Sequence, residues 1–372
     1  MSTIKVNNIV PPNVGEGVSI DGLQMPTAGA LSNRNLIING DMVHDQRSNG
    51  SVFATTGATY GTCDRWSFQY SNASKYTGQQ VSDGPVGFKK SLKANVASAF
   101  TVSSTSYFLV EQAIEGYNFS SLCFGTADAK PVSISFWVKA SVTGTYSLAL
   151  RNSDNTRSIV QEYTINTANT WEYKTITTPG DTTGTYNTTN GVGIRLVFGL
   201  GIGSSFEATA GTWVAGNKFT TSSSVRLIET QDATWQVTGV QLEVGSKATP
   251  FEYESYSQTL AKCQRYYYRT TASSNDSTVA VGFNQNGSAT RAVAFFPVTM
   301  RAAPTALEQS GTASDVSIYH GTSLTVCTSV PSFNSATQHC AEFQAISSGL
   351  TTGQGCTISL ETTGYLAWSA EL

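Results

Sequence analysis

The chain has 372 residues, 13% of them charged, with 22 Lys and Arg against 25 Asp and Glu for a formal net charge of -3. That length exceeds one ordinary core and suits two domains plus a tail. There is no Lys/Arg cluster to neutralise phosphates, which argues against nucleic-acid binding, and no apolar run approaches the ~20 residues of a bilayer span.

The charged fraction is about half that of ordinary soluble domains. A surface rich in Ser, Thr, Asn and Gly suits β proteins that assemble side by side. The first twelve residues, MSTIKVNNIVPP, lack the apolar core of a signal peptide, so synthesis in a cytoplasm is expected. In that reducing compartment Cys63, Cys123, Cys263, Cys327, Cys340 and Cys356 read as buried free thiols. A Cys327–Cys340 bridge is the alternative in oxidising surroundings, and a four-cysteine zinc site fails on spacing.

Residues 1–33 hold two short strand-like runs, TIKVNNIV and VSIDGLQMP, and a Pro-Pro pair. A segment too small to bury its own apolar side chains needs a partner surface. The expectation is an extended docking arm, with a disordered terminus as the bland alternative.

Residues 34–254 read as short strands separated by Gly, Asn, Asp and Pro turns. Val132, Ile134, Phe136 and Val138 share one face of a strand. So do Tyr146, Leu148 and Leu150, and then Ile194, Leu196, Phe198 and Leu200. Helical spacing is nowhere sustained, so the fold class is all-β, an antiparallel sandwich whose roughly eight strands suit a jelly roll. Trp66, Phe68, Tyr70, Trp137, Trp171, Tyr173, Trp213 and Trp235 crowd this region. Most aromatics in a sandwich fill its core. Trp137 alternates with the core-facing Phe136 and Val138 and so points outward, where it wants a sugar ring or a neighbouring chain. Trp137, Trp66 and Tyr70 are the candidate ligand-contact residues.

Val240, Leu242 and Val244 alternate with Gln241 and Glu243 in the last strand of this region. Residues 255–268 then form a short helical connector, with Ser255 and Gln258 as a capping box. Tyr256, Leu260, Cys263 and Tyr267 make its packing stripe. Residues 269–372 form a C-terminal β-sandwich domain, its strands expected in TVAVGF, RAVAFFPVTM, SLTVCTSV, CTISLE and GYLAWSAEL. No repeat of fixed period occurs, which disfavours a β-helix.

Chemistry has few footholds. His44, His320 and His339 are far apart in sequence, and His44 reads as a solvated loop histidine. FGLGIGSS, residues 198–205, is a strand ending in a turn, with no following helix to meet an anion. A nucleophile elbow is absent. Glu111 with Glu115, or Asp64 with Glu243, are the only carboxylate pairs worth weighing for glycoside cleavage. The expectation is no enzyme and no required cofactor.

NLIINGDM, DRW, and VQLEVGSKATPFE followed by a helix and CQRYYY resemble tail-fibre and related virion proteins of tailed bacteriophages. NLIINGDM at the start, a WEY strand and VTGVQLE at the end are similar to carbohydrate-binding jelly rolls, in which first and last strands sit together. The resemblance implies a virion protein, a tail fibre or receptor-binding protein that adheres to host surface glycan. It implies a homotrimer that contacts other virion proteins through residues 1–33; the lack of a long apolar run adds the expectation of no membrane insertion. A head fibre, capsid decoration protein or neck component is the first alternative, a tailspike polysaccharide depolymerase the second. It also places Asn39, Asp41 and Glu243 where such folds often hold a structural calcium. An ordinary hydrogen-bonded strand end is the other reading of those three.

Overall fold

The computed structural model describes residues 32–57 and 59–372, plus the backbone of a short antiparallel pair, Ser19–Ile20 with Leu23–Gln24. The docking arm expected in residues 1–33 otherwise lies outside the described residues. The chain divides into two compact units, Met1–Ser255 with Leu372, and Tyr256–Glu371.

The first unit is a sandwich of two six-stranded antiparallel sheets. One runs Glu172–Thr178, Val132–Ala140, Thr234–Val244, Ser91–Val96, Tyr76–Val81 and Phe53–Ala54. The other runs Trp213–Ala215, Arg157–Ile165, Gly144–Asn152, Val192–Ile202, Tyr107–Glu115 and Ser67–Tyr70. The strand number exceeds the eight expected, because edge strands as short as two residues leave no readable alternation. The three apolar faces read from the sequence all enter one core, where Phe136, Phe198, Trp235 and Leu242 meet. Each such side chain contributes about 1.5–3 kcal/mol of burial.

The outer face of the second sheet is roofed. Leu109, Ala149, Val160, Val197 and Phe219 form a satellite cluster there, with Phe206 stacked on Phe219 at 4.7 Å. The outer face of the first sheet carries the exposed aromatics described below.

A strap formed by residues 35–42 ties the sheets together. The Leu36 N–H donates to Leu242 O at 2.9 Å, and the Val240 N–H to Gly40 O at 2.9 Å. From the other sheet, the Gln112 carboxamide accepts the Ile38 N–H at 2.8 Å and donates to Ile38 O at 2.9 Å. Asn39, at φ 58, closes the strap. Its Nδ2 donates to His44 O and Asp64 O at 2.9 and 3.1 Å, and its Oδ1 accepts the His44 N–H at 3.0 Å. Trp66 Nε1 then donates to Asn39 O at 3.2 Å. His44 is therefore buried, 2% exposed, and not the solvated loop histidine its polar neighbours suggest.

The second unit holds a seven-stranded and a three-stranded antiparallel sheet around a core that includes Phe343, Ile358 and Trp368. Its helix is Tyr256–Gln264, shorter than the connector expected. Tyr256 is exposed; the buried positions are Thr259 and Cys263, and Tyr267 opens the strand Tyr267–Thr271 instead of closing the helix. Nine residues of helix are too few for periodicity to fix the packed face. No Cys327–Cys340 bridge forms; four of the six cysteines are buried as expected, Cys123 and Cys340 are half-buried, and burial pushes the Cys327 thiol up to about 12.

Candidate functional site

In the strand Val132–Ala140, Ser133, Ser135, Trp137 and Lys139 occupy the face opposite the core. The neighbouring strand breaks register beside them. Thr238 pairs with Trp137 and Gln241 with Ser135, so Gly239 and Val240 together oppose Phe136. Gly239 has φ +61, the left-handed conformation that this kind of bulge asks of its first residue. The extra residue resets the alternation. Trp235 and Val237 before it, and Val240 and Leu242 after it, all face the core. The bare Cα also makes room, since a Cβ on Gly239 would lie 2.7 Å from Phe88 Cζ. Phe88 thus lies over the bulge.

The segment after the strand folds back across the same face. Gly245 N–H donates to Pro131 O at 2.9 Å. The Glu243 carboxylate accepts the Thr249 N–H and hydroxyl, each at 2.7 Å. Gln241 Oε1 accepts the Glu252 N–H at 2.8 Å, and the Glu252 carboxylate accepts the N–H groups of Arg34 and Asn35 at 2.6 and 2.9 Å. These bonds set Phe251 and Tyr253 against Phe88, with ring centroids 5.1 and 5.5 Å from it. Tyr173, directly opposite Trp137 in the register, lies 5.3 Å from the indole.

The result is a groove of about 490 Å³ lined by Trp137, Tyr173, Phe88, Phe251, Tyr253 and Lys247. Tyr173 is 45% and Tyr253 61% exposed. Ring faces offered to solvent beside an exposed lysine suit a ligand with one apolar face and polar edges.

Two residues along from Trp137 and on the same face, Lys139 is held by its neighbours. It bonds the Asp83 carboxylate and lies 5.0 Å over the Trp171 ring, while Trp171 Nε1 donates to Asp83 Oδ1 at 3.3 Å. The hydrogen bond from Lys139 holds the Asp83 carboxyl below its ordinary 3.8, against the upward pull of burial and with help from Trp171. A depressed carboxyl stabilises fully above its unfolded value and loses that contribution as pH falls through the folded one. Asp83→Asn is therefore expected to cost about 0.5 kcal/mol at neutral pH, a small value because the pair is half exposed. Denaturant midpoints of both chains should converge below pH 3.8; a penalty that persists in acid contradicts the assignment.

Among the candidates read from the sequence, Trp137 lines the groove. Tyr70 is half-buried and sits edge-on to Tyr76 at 6.2 Å. Trp66 is wholly buried, its indole bonded to the strap and 6.2 Å from Phe198, so it is a core residue and cannot meet a ligand. Of the three residues considered for calcium, Asn39 and Glu243 have their oxygens engaged by protein groups. The Asn39 oxygen is taken by the His44 N–H and the Glu243 oxygens by Thr249 and Gln241. Burial raises the Asp41 carboxyl, with Glu254 adding to the rise against two backbone hydrogen bonds. Among the described residues, no group of three or more His, Cys, Asp or Glu could hold a metal ion. The strap reading, an ordinary hydrogen-bonded strand end, is the one these contacts favour. Phe88, Phe251 and Tyr253 were missed, although aromatics in the turn-rich PVGF and TPFEY were a readable signal.

Several solved structures are similar in fold. A sugar-binding protein from Bacteroides thetaiotaomicron matches at TM-score 0.34 and 12% identity, over 57% of this chain and 100% of that one. A family 61 carbohydrate-binding module in complex with β-1,4-galactotriose matches at 0.28 and 11%, over 57% and 99%. A family 11 module from Clostridium thermocellum, in complex with a β-1,3-1,4-mixed-linked tetrasaccharide, matches at 0.26 and 12%, over 51% and 91%. No protein-family model and no curated protein matches the chain.

Proposed function

We propose that the first unit binds glycan in the aromatic groove, and that the chain works as an adhesion component of a bacteriophage virion, a tail fibre or receptor-binding protein. The groove carries the binding reading: five aromatic rings gather around one bulge. Pyranose rings present a flat C–H face to aromatic rings and hydroxyls to polar neighbours. Each site alone binds weakly, and several copies engaging one surface together supply avidity. The virion assignment, the trimer and the role of residues 1–33 rest on the resemblance of NLIINGDM, DRW and VQLEVGSKATPFE.

A glycan array followed by calorimetric titration tests the binding. Trp137→Ala is expected to weaken affinity by about tenfold or more, roughly the 1.4 kcal/mol of one stacked ring. Its unfolding midpoint should stay close to that of the parent, because the indole is only half-buried. A parent chain that retains no glycan, or a variant with unchanged affinity, overturns the reading. Adhesion without turnover is expected, so retained polysaccharide should keep its chain length; shortened product would favour the depolymerase alternative. Immunolabelling of intact particles decides the virion part, and label on the capsid would favour the head-fibre or decoration alternative.

A further inference from the structure

The groove of the first unit is uneven in charge. Among the described residues that line it, Lys247 is the one charged side chain. It is exposed, and among the described residues its ammonium has neither an ion pair nor a hydrogen bond. The carboxylates nearby are already engaged. Glu243 is held by Thr249 and Gln241, Glu252 by the backbone of Arg34 and Asn35, and Asp83 by Lys139 and Trp171. The other unengaged polar groups on the groove walls, the Trp137 indole N–H and the Tyr173 hydroxyl, can both donate. Donors around one uncompensated cation suit a ligand that is rich in acceptors and negatively charged.

The turn that carries Lys247 is fixed on both sides. The Ser133 hydroxyl donates to Gly245 O at 2.9 Å and the Thr177 hydroxyl to Ser246 O at 3.2 Å, while Glu243 ties down Thr249. Along their strand, Tyr173 and Thr177 are about 13 Å apart at the usual rise per residue. Phe88 and Tyr253 stand instead over the bulge at Gly239, beside Trp137. The lysine turn and these rings therefore occupy opposite ends of the groove. Burial, with Asp41 adding to it, raises the Tyr253 hydroxyl, so the carboxylate that acts on the groove acts at the ring end. This polarity orients a ligand: sugar rings stack at Trp137 and Tyr173, and an anionic substituent points to Lys247.

We infer that the groove selects anionic glycans, sugars that carry a carboxylate or a phosphate ester, and that Lys247 is the residue that selects them. The inference rests on the glycan reading of the groove and deepens it.

The test on the full-length chain is an array that sets uronic-acid, sialylated and phosphorylated oligosaccharides beside their neutral parents. Acidic members should be retained over the neutral ones, and the class retained tells carboxylate from phosphate. Calorimetric titration of the retained pair should show the acidic form binding about five- to tenfold tighter, the effect of one charge-assisted hydrogen bond at an exposed rim. That advantage should shrink with rising salt. Lys247→Met should abolish it and Lys247→Arg should keep it, and since the side chain is exposed both variants should unfold at the parent's midpoint. Neutral glycans bound as tightly as acidic ones, or a preference that survives Lys247→Met, overturn the inference; if Trp137→Ala still weakens that binding, the glycan reading stands. A chain that retains no member of the array overturns both. If Lys247→Met does not fold, the parent's salt dependence decides, and an acidic preference unmoved by salt sinks the assignment.

Discussion

Asn39→Ala is expected to destabilise the first unit by about 2–4 kcal/mol, far more than an exposed loop asparagine would. The carboxamide satisfies three buried backbone groups, the N–H and C=O of His44 and the C=O of Asp64. Alanine removes all three bonds in a region where Asn39 itself is 2% exposed, although the His44 carbonyl keeps the Asp64 N–H at 2.9 Å, and each lost bond costs about 1 kcal/mol. A second contribution comes from the backbone. At φ 58 an alanine pays about 1 kcal/mol that asparagine largely avoids. Denaturant midpoints with an unchanged slope would report the loss as one of stability. The same experiment separates the strap from the calcium reading. The parent's midpoint should be indifferent to chelator, and the variant's loss should be equal with and without calcium. A loss under about 1 kcal/mol, the level of an ordinary surface change, would sink the strap assignment, and so would a chelator effect that reproduces the variant. Asn39→Asp should fall between, since it keeps the acceptor and tolerates the left-handed backbone but loses both donors.

What the sequence made legible was what depends on neighbours along the chain. Alternation over nine residues assigned the buried face of Val132–Ala140, and it placed Trp137 on the other side. It could not show the bulge, because an extra residue is defined by the partner strand, although Gly239 marked the place where one was affordable. Trp66 illustrates the opposite limit. Its indole is buried by a strap 27 residues away in sequence, and no local pattern carries that information. The groove depends on still longer contacts. The loop bearing Phe251 and Tyr253 is anchored by Glu252 to Arg34 across 218 residues. NLIINGDM, DRW and VQLEV meet in and around the strap that joins the two sheets, a meeting that no local pattern shows. Composition foretold the low charge of the surface, but not that the second unit would concentrate exposed apolar side chains on one face.

Glu111→Ala should be comparably severe, at about 3–5 kcal/mol, because it strips the counter-ion from two arginines rather than one. Arg151 and Arg195 stand directly opposite each other in the register of adjacent strands, an arrangement that like charges ordinarily disfavour. Glu111 on the next strand resolves it, accepting from Arg151 at 2.6 Å and from Arg195 at 3.4 Å. The cluster is sheltered: the Glu111 side chain is 3% exposed, and the Arg151 guanidinium lies 5.4 Å over the Phe219 ring of the roof. Asn217 and Asn155 hold another Arg151 nitrogen at 2.9 and 3.1 Å, so the cation cannot swing out to water without breaking those bonds as well. Glu111→Gln keeps the shape and one acceptor and should lose less. The sharper outcome is non-additivity. Glu111→Ala combined with Arg151→Ala should cost less than the two single changes summed, because the second removes the charge that the first left bare. Replacing all three by apolar residues of similar volume should come close to neutral, since desolvation of the cluster offsets most of its attraction. Denaturation midpoints for the full cycle decide the matter. Strictly additive losses would mean that the three charges act separately, and that the roof over this sheet owes its stability to its apolar cluster.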